Sequence, residues 1–381
     1  MSQSESEKLS RATLKNAKRV VVKIGSAILT ERGLGLDSDR IGALSQQIAE
    51  LTKSGKEVVI VSSGAVAEGC NRLGWTTRPE TVHELQAAAA VGQMGLVEAW
   101  ESALRKHGCG AAMIMLTHED LADRKRYLNA RATISQLLSL GIVPVINEND
   151  TVATEEIQFG DNDTLAALVA NLIEGDLLVI LTDVAGLLSA DPADDPDAQV
   201  IPHAFADDES LDQKAGKRSG MLGRGGMVTK IRAARLAARS GAHTVIAPGH
   251  ASNILGDVLA GQDIGSWLQA KLTPMTARKR WIAGHLRAKG TLTIDTGARG
   301  ALVEQGVSLL AVGVTAVSGE FARGDVVRIC SADGQQVGQG LSNYASREIA
   351  KLLGQKSETF AEHIDYVGEP ELVHRDNLVI V

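Results

Sequence analysis

Short β-branched runs alternate with longer stretches of helical spacing along the first two thirds of the chain. Arg19–Ile24 (RVVVKI), Glu57–Val61, Ala111–Leu116, Ile142–Ile146, Leu177–Leu181 (LLVIL) and His243–Ala247 have the length and apolar content of buried strands. Between the first two, Asp39–Lys53 carries Ile41, Leu44, Ile48 and Leu51 on one helical face. Ala65–Leu73, Val82–His107, Arg124–Leu140, Thr164–Asn171, Met227–Arg239 and Asn253–Leu259 are further helical stretches. Strands separated by helices predict an α/β fold, with a mostly parallel central sheet sandwiched by helices. Residues 1–16 are polar and expected to fray.

After Gln269 the pattern changes. Leu272–Arg280, with Pro274 and the basic run Arg278–Arg280, reads as a linker. Beyond it, short strands are expected at Thr291–Ile294, Ser308–Val317, Asp325–Ile329 and Gln336–Gly340, separated by glycine turns, with a helix at Arg347–Leu353. This predicts a small β-rich barrel domain. A length of 381 residues also exceeds one typical core. The expected division is a flexible lead at 1–17, a catalytic domain at 18–269, a linker at 270–286 and a barrel domain at 287–375.

Composition narrows the function. Aromatics make up 3% of the residues, too few for a platform that stacks single-stranded nucleic acid. The net charge of −7 gives no global attraction to nucleic acid or an anionic membrane. Cys70, Cys109 and Cys330 are too scattered for a disulfide framework or a zinc knuckle. MSQSESEKLSRATLKN contains no apolar signal region, and no apolar run reaches membrane-spanning length. A cytoplasmic location is expected.

Candidate chemistry sits where strands end. Lys23-Ile-Gly-Ser26, Ser62-Ser-Gly64, Asn147–Asp150 and Thr182-Asp183 each close a predicted strand with polar residues. In open α/β sheets ligands bind beyond the carboxyl ends of the strands, so these groups should meet in one crevice. The stretch Ile142–Leu168 (IVPVINENDTVATEEIQFGDNDTLAAL) is densest in such residues, with Asn147, Asp150, Asp161, Asn162 and Asp163. Its amides and acids can bind a polar ligand or a cation, or simply form turns and helix caps. Gly223-Arg-Gly-Gly-Met-Val-Thr-Lys230 leads glycines into a helix, exposing N–H groups suited to an anion, with Lys230 in the first turn. The spacing matches neither G-x-x-x-x-G-K-[ST] nor G-x-G-x-x-G, and the nine histidines show no HExxH pattern. Lysines, an anion cradle and acidic groups, with no nucleophile paired to a base, point to phosphoryl transfer.

The segments VVKIGS, IVSSGA, VPVINENDTVAT, GDNDTLAA, LLTDVAGL, ADP and GGMVTK occur in the order and spacing of the amino-acid kinase family, and VINEND with GDND resembles its glutamate 5-kinase branch. FARGDVVRI and the glycine turns near the C-terminus resemble a PUA domain. The resemblance covers residues 18–375 and implies ATP and Mg²⁺ as cofactors, L-glutamate as substrate, and its side-chain carboxylate as acceptor on the route to proline. Such a carboxylate is ionised at neutral pH (ordinary pKa about 4.3), so no general base is needed.

It implies Lys23 and Lys230 beside the transferring phosphoryl group, with Asp161 and Asp163 orienting them. Ser63, Asn147, Asp150 and Asn162 would bind glutamate. Gly25, Ser26, Thr182, Asp183, Arg224, Gly225, Gly226, Met227, Val228 and Thr229 would contact the nucleotide. Arg224 stands where the family usually has Thr or Ser, and Ala27 where it commonly has Ser. Implied partners are proline as feedback inhibitor, a glutamate-5-semialdehyde dehydrogenase downstream, and further copies of the chain in a homo-oligomer. A sister activity on acetylglutamate or aspartate is the enzymatic alternative, and RNA binding by the PUA-like part is the non-enzymatic one. Lys+Arg and Asp+Glu balance from Ala277 to Val381, which speaks against RNA.

Overall fold

The computed structural model describes residues 10–31, 34–153, 162–190, 195, 197–214, 226–271, 288–366 and 368–380. Backbone contacts divide the chain into two units, Met1–Pro274 and Met275–Val381. Apart from a two-stranded ribbon of Thr30–Glu31 and Leu34–Leu36, the strands of the first unit are β1 (Arg19–Ile24), β2 (Glu57–Ser62), β3 (Gly110–Leu116), β4 (Ile142–Glu148), β5 (Leu177–Thr182), β6 (His203–Phe205), β7 (His243–Pro248) and β8 (Ser266–Gln269). β1 to β8 form one eight-stranded sheet in the order β3-β4-β2-β1-β5-β7-β8-β6. The pairs from β3 to β7 are all parallel, while β8 runs antiparallel to β7 and parallel to β6.

The helices that matter for the site are α1 (Ser38–Lys53), α2 (Ala65–Arg72), α3 (Val82–Lys106), α4 (Arg124–Ser139), α5 (Asn162–Leu172) and α6 (Met227–Arg239). Alternation along the strands splits the core in two. Val20, Val22 and Ile24 of β1 join Ile48 of α1 and Leu96 and Trp100 of α3 on one face. Val21 of β1 joins Ile134 of α4, Leu165 and Val169 of α5 and Ile231 of α6 on the other. The chain leaves β1 for β2 on one side and later returns to β5 on its opposite side. In open α/β sheets such a reversal is where ligands bind, beyond the carboxyl ends of the central strands.

Several expectations need correction. The lead does not fray throughout: Arg11–Asn16 forms a 3-10 turn, Leu14 is buried, and Arg11 pairs with Asp263 at 2.7 Å. The fourth strand does not end at Ile146, because Asn147 and Glu148 still pair with Met115 and Leu116 of β3. Helix α5 starts at Asn162 rather than Thr164. The strands β6 and β8, three and four residues long, have no period of their own and escape a pattern reading. The linker expected at 272–280 and most of the glycine-rich segment before α6 lie outside the described residues.

The second unit holds β9 (Gly290–Ile294), β10 (Val314–Gly319), β11 (Val326–Ser331), β12 (Gln336–Leu341) and β13 (Leu378–Ile380), in the order β10-β9-β11-β12-β13. Its core combines Leu292, Ile294, Val327 and Ile329 with Tyr344, Phe360 and, from helix Ser346–Leu352, Ile349 and Leu352. The strand expected over Ser308–Val317 is confined to its second half. Leu309 makes an isolated bridge to Val373, and Ala311–Gly313 turns as a 3-10 segment before β10 begins.

Candidate active site

Lys23 is the fifth residue of β1, and strand alternation turns it away from Ile24 toward the face where α5 begins. There Asp163, in the first turn of α5, receives two lysines. Lys23 Nζ lies 2.7 Å from Asp163 Oδ1, and Lys230 Nζ lies 3.2 Å from Oδ2. Thr229 Oγ1, 2.8 Å from the same Oδ2, donates to it or to the Gly226 carbonyl, also at 2.8 Å. All three charged side chains are buried, Asp163 to within 1% of full cover.

Burial alone would raise the Asp163 carboxyl. The charges of Lys23 and Lys230, with hydrogen bonds from Lys23 and Thr229, instead hold it at about 2. Burial lowers Lys230, and the Asp163 carboxylate opposes that. Two cations on one anion leave a net positive charge, the condition for holding an anion. Gly226, in extended backbone, caps α6 with no side chain of its own, leaving the first N–H groups of Met227–Arg239 without a side-chain cap.

A second cluster adjoins the first through Asn162, the residue before Asp163. Asn162 Nδ2 donates to Ser63 Oγ at 2.9 Å and to Asn147 Oδ1 at 3.1 Å. Asn147 Nδ2 donates in turn to Gln93 Oε1 at 2.9 Å. Gly64, at φ 110°, makes the left-handed turn that ends β2 and starts α2. The Ser63 N–H bonds the Ile24 carbonyl, tying the ends of β1 and β2 together. Trp100 of α3 donates its indole N–H to Ser62 Oγ at 2.9 Å, fixing the same turn from below.

Asp150 follows β4 beside Glu148, which is buried and lies with Oε1 3.4 Å from His118 Nδ1. Burial and the neighbouring Glu148 charge push the Asp150 carboxyl up to about 7, against the pull of Arg78. On the other side of β1, Thr182 ends β5 and donates to Asp183 Oδ1 at 3.1 Å. The Asp183 charge is also felt by Lys230. Gly25 follows β1, and a Cβ placed on it would lie 3.5 Å from Lys23 Nζ; Ser26 opens the short helix after it. Met227 is half-buried against the core and Val228 is exposed.

The structure therefore brings together Lys23, Asp163, Thr229 and Lys230, and separately Ser63, Asn147 and Asn162. Asp161, Arg224 and Gly225 lie outside the described residues. Sequence reading includes Glu148 only as one member of the polar strand end Asn147–Asp150 and passes over Gln93 and His118. Gln93 leaves one trace: a polar residue on the Leu85, Ala89, Leu96, Trp100 face of an otherwise apolar helical stripe.

Residues 18–247 match the profile of the amino acid kinase family. The chain belongs to that family. Residues 290–364 of this amino acid kinase match the PUA domain. Glutamate 5-kinase of Pseudomonas syringae pv. tomato is 57% identical over 97% of this chain and 100% of its own length. Those of Pseudomonas fluorescens (strain Pf0-1) and Pseudomonas putida (strain GB-1) are 56% identical over the same shares. The likeness read from the motifs thus extends along nearly the whole chain. Among solved structures, a UMP kinase from Bacillus anthracis is similar with a TM-score of 0.46 at 14% identity, over 67% of this chain and 97% of that one. Among the described residues no helix is long and apolar enough to cross a membrane.

Proposed function

We propose that this amino acid kinase transfers the γ-phosphoryl group of ATP to the side-chain carboxylate of L-glutamate, giving L-glutamyl 5-phosphate in the first step of proline biosynthesis. The observation that carries the reading is the buried Lys23–Asp163–Lys230 bridge, one residue from the Asn162–Ser63–Asn147 cluster, in a chain 57% identical to a glutamate 5-kinase. The acceptor carboxylate is already a nucleophile, so the protein's task is positioning and charge compensation. Lys23 and Lys230 stabilise charge on the transferring phosphoryl group, and Asp163 keeps the two ammonium groups at a fixed separation. Asp161, from the same stretch, orients the lysines with it. Ser63, Asn147 and Asn162 hold the amino acid, and Asp150 receives its α-ammonium. Gly25, Ser26, Thr182, Asp183 and the segment from Arg224 to Thr229 hold the nucleotide.

Mg²⁺ accompanies ATP, held chiefly by the phosphates, as is usual for a small hard cation in phosphoryl-transfer sites. This fits the donor set, in which Asp163 is occupied by two lysines. When bound, the ion neutralises charge on the triphosphate. The acyl phosphate product is labile in water, which favours a glutamate-5-semialdehyde dehydrogenase as the partner that consumes it. Proline is the expected inhibitor at or near the glutamate site, and a cytoplasmic homo-oligomer the expected form. Trapping the product with hydroxylamine tests the reading. ATP-dependent hydroxamate should form from glutamate and fall when proline is added. Turnover of acetylglutamate or aspartate instead of glutamate would overturn it.

A further inference from the structure

We propose that Gln93 is a positioning residue for the amino-acid substrate, setting the direction of every hydrogen bond in the cluster that faces it. This deepens the reading above and rests on it. Gln93 is buried on α3, with its Nε2 3.4 Å from Met113 Sδ. A thioether has no proton to donate, so it accepts the amide N–H and fixes which end of Gln93 points back toward β3. Oε1 is then left for Asn147, whose Nδ2 donates to it at 2.9 Å. That orients Asn147 Oδ1 toward Asn162, which donates Nδ2 to it at 3.1 Å and to Ser63 Oγ at 2.9 Å. Both Asn162 amide protons are thereby taken up within the cluster.

Two groups remain, each with one chemical sense. Asn162 Oδ1 is buried, accepts no hydrogen bond among the described residues, and can only be an acceptor. Ser63 Oγ already accepts from Asn162, so its own proton is available to donate. An acceptor next to a donor suits an amino acid: the acceptor takes an ammonium proton, and the hydroxyl donates to a carboxylate. Reversing any amide in the chain would set N–H against N–H or oxygen against oxygen, so the order is all or none. Met113 and Gln93 thus write the polarity of a site from the far side of β4.

Steady-state kinetics of the full chain test this with Gln93→Leu, Gln93→Glu and Met113→Leu, circular dichroism serving to compare their folds. Gln93→Leu removes the acceptor for Asn147. It should raise the glutamate KM about tenfold, the order expected when a buried amide loses its partner, with kcat and the ATP KM within about twofold. The preference for glutamate over glutarate, which lacks the ammonium, should fall by a similar factor. Gln93→Glu keeps an oxygen toward Asn147 and should recover most of the lost affinity. Met113→Leu keeps the volume but removes the orienting sulfur, and should raise the glutamate KM a few-fold. An unchanged glutamate KM in Gln93→Leu, or an equal loss in both KM values and kcat, would overturn the inference. Failure of the unmodified chain to turn over glutamate would overturn the functional reading itself, so the two failures are told apart.

Discussion

At the residue scale, two aspartates of one segment meet opposite fates. Asp163 is buried between two lysines and held at about 2. Asp150 is pushed up to about 7 by burial and by the neighbouring Glu148 carboxylate. For Asp163 the folded-state value lies below the ordinary one of 3.8, so its contribution to stability is present above about 4 and lost as pH falls through 2. For Asp150 the consequence is functional. In its proposed role it would carry, below about pH 7, a proton that the ammonium of glutamate has to displace. The glutamate KM should be flat above pH 7.5 and rise with acidification, approaching about tenfold per unit, while the ATP KM stays level. Asp150→Asn should abolish that slope and raise the glutamate KM throughout; a slope that persists would assign the titration elsewhere. Lys230→Ala should lower kcat by about 10²–10³, the loss seen when a charge-stabilising donor is removed, with the circular dichroism spectrum retained. Near-normal turnover would show that Lys230 does not face the transferring group.

At the element scale, the site depends on how closely α2 and α3 approach. A Cβ on Gly69 would lie 1.7 Å from the Ala88 carbonyl oxygen, and one on Gly92 would lie 1.9 Å from that of Ala65. The helices therefore touch backbone to backbone, with the Ser62–Gly64 turn at one end of α2 and Gln93 next to Gly92 on α3. Gly92→Ala should destabilise the fold by about 1–3 kcal/mol or more, read from urea or thermal unfolding, because backbone rather than a flexible side chain must move. It should also raise the glutamate KM, since Gln93 and Trp100 shift with the helix. The strands that end in polar residues are legible in the chain because a buried parallel strand is a compact apolar run and its end is abrupt. Gln93 is not legible as a site residue. A buried amide on a helix acquires meaning only from the side chains the fold sets against it, here Asn147 and Met113.

At the scale of the whole molecule, the amino acid kinase profile and the PUA profile fall on separate units. PUA-type domains raise the question of RNA, but from Ala277 to Val381 basic and acidic residues balance, which leaves no electrostatic footprint for phosphates. The full chain should therefore give no shift with bulk tRNA at moderate salt in a native gel. A tight complex would assign the second unit an RNA role.

Order along the chain and local chemistry settle a good deal without any coordinates. Apolar runs between amphipathic stretches dictate a parallel α/β sheet, and polar residues just past Ile24, Val61, Ile146 and Leu181 mark the edge where such sheets bind ligands. The motifs around Lys23, Asn162 and Lys230 name the family because they need only sequence neighbours to be recognised. What they cannot express is contact between residues far apart in sequence. The two lysines on Asp163, the approach of His118 to Glu148, and the amide relay from Met113 through Gln93 to Asn162 each join different elements. Hydrogen bonds need their heavy atoms within about 3 Å, and ion pairs are strongest at contact, so only the folded chain decides which of these groups meet.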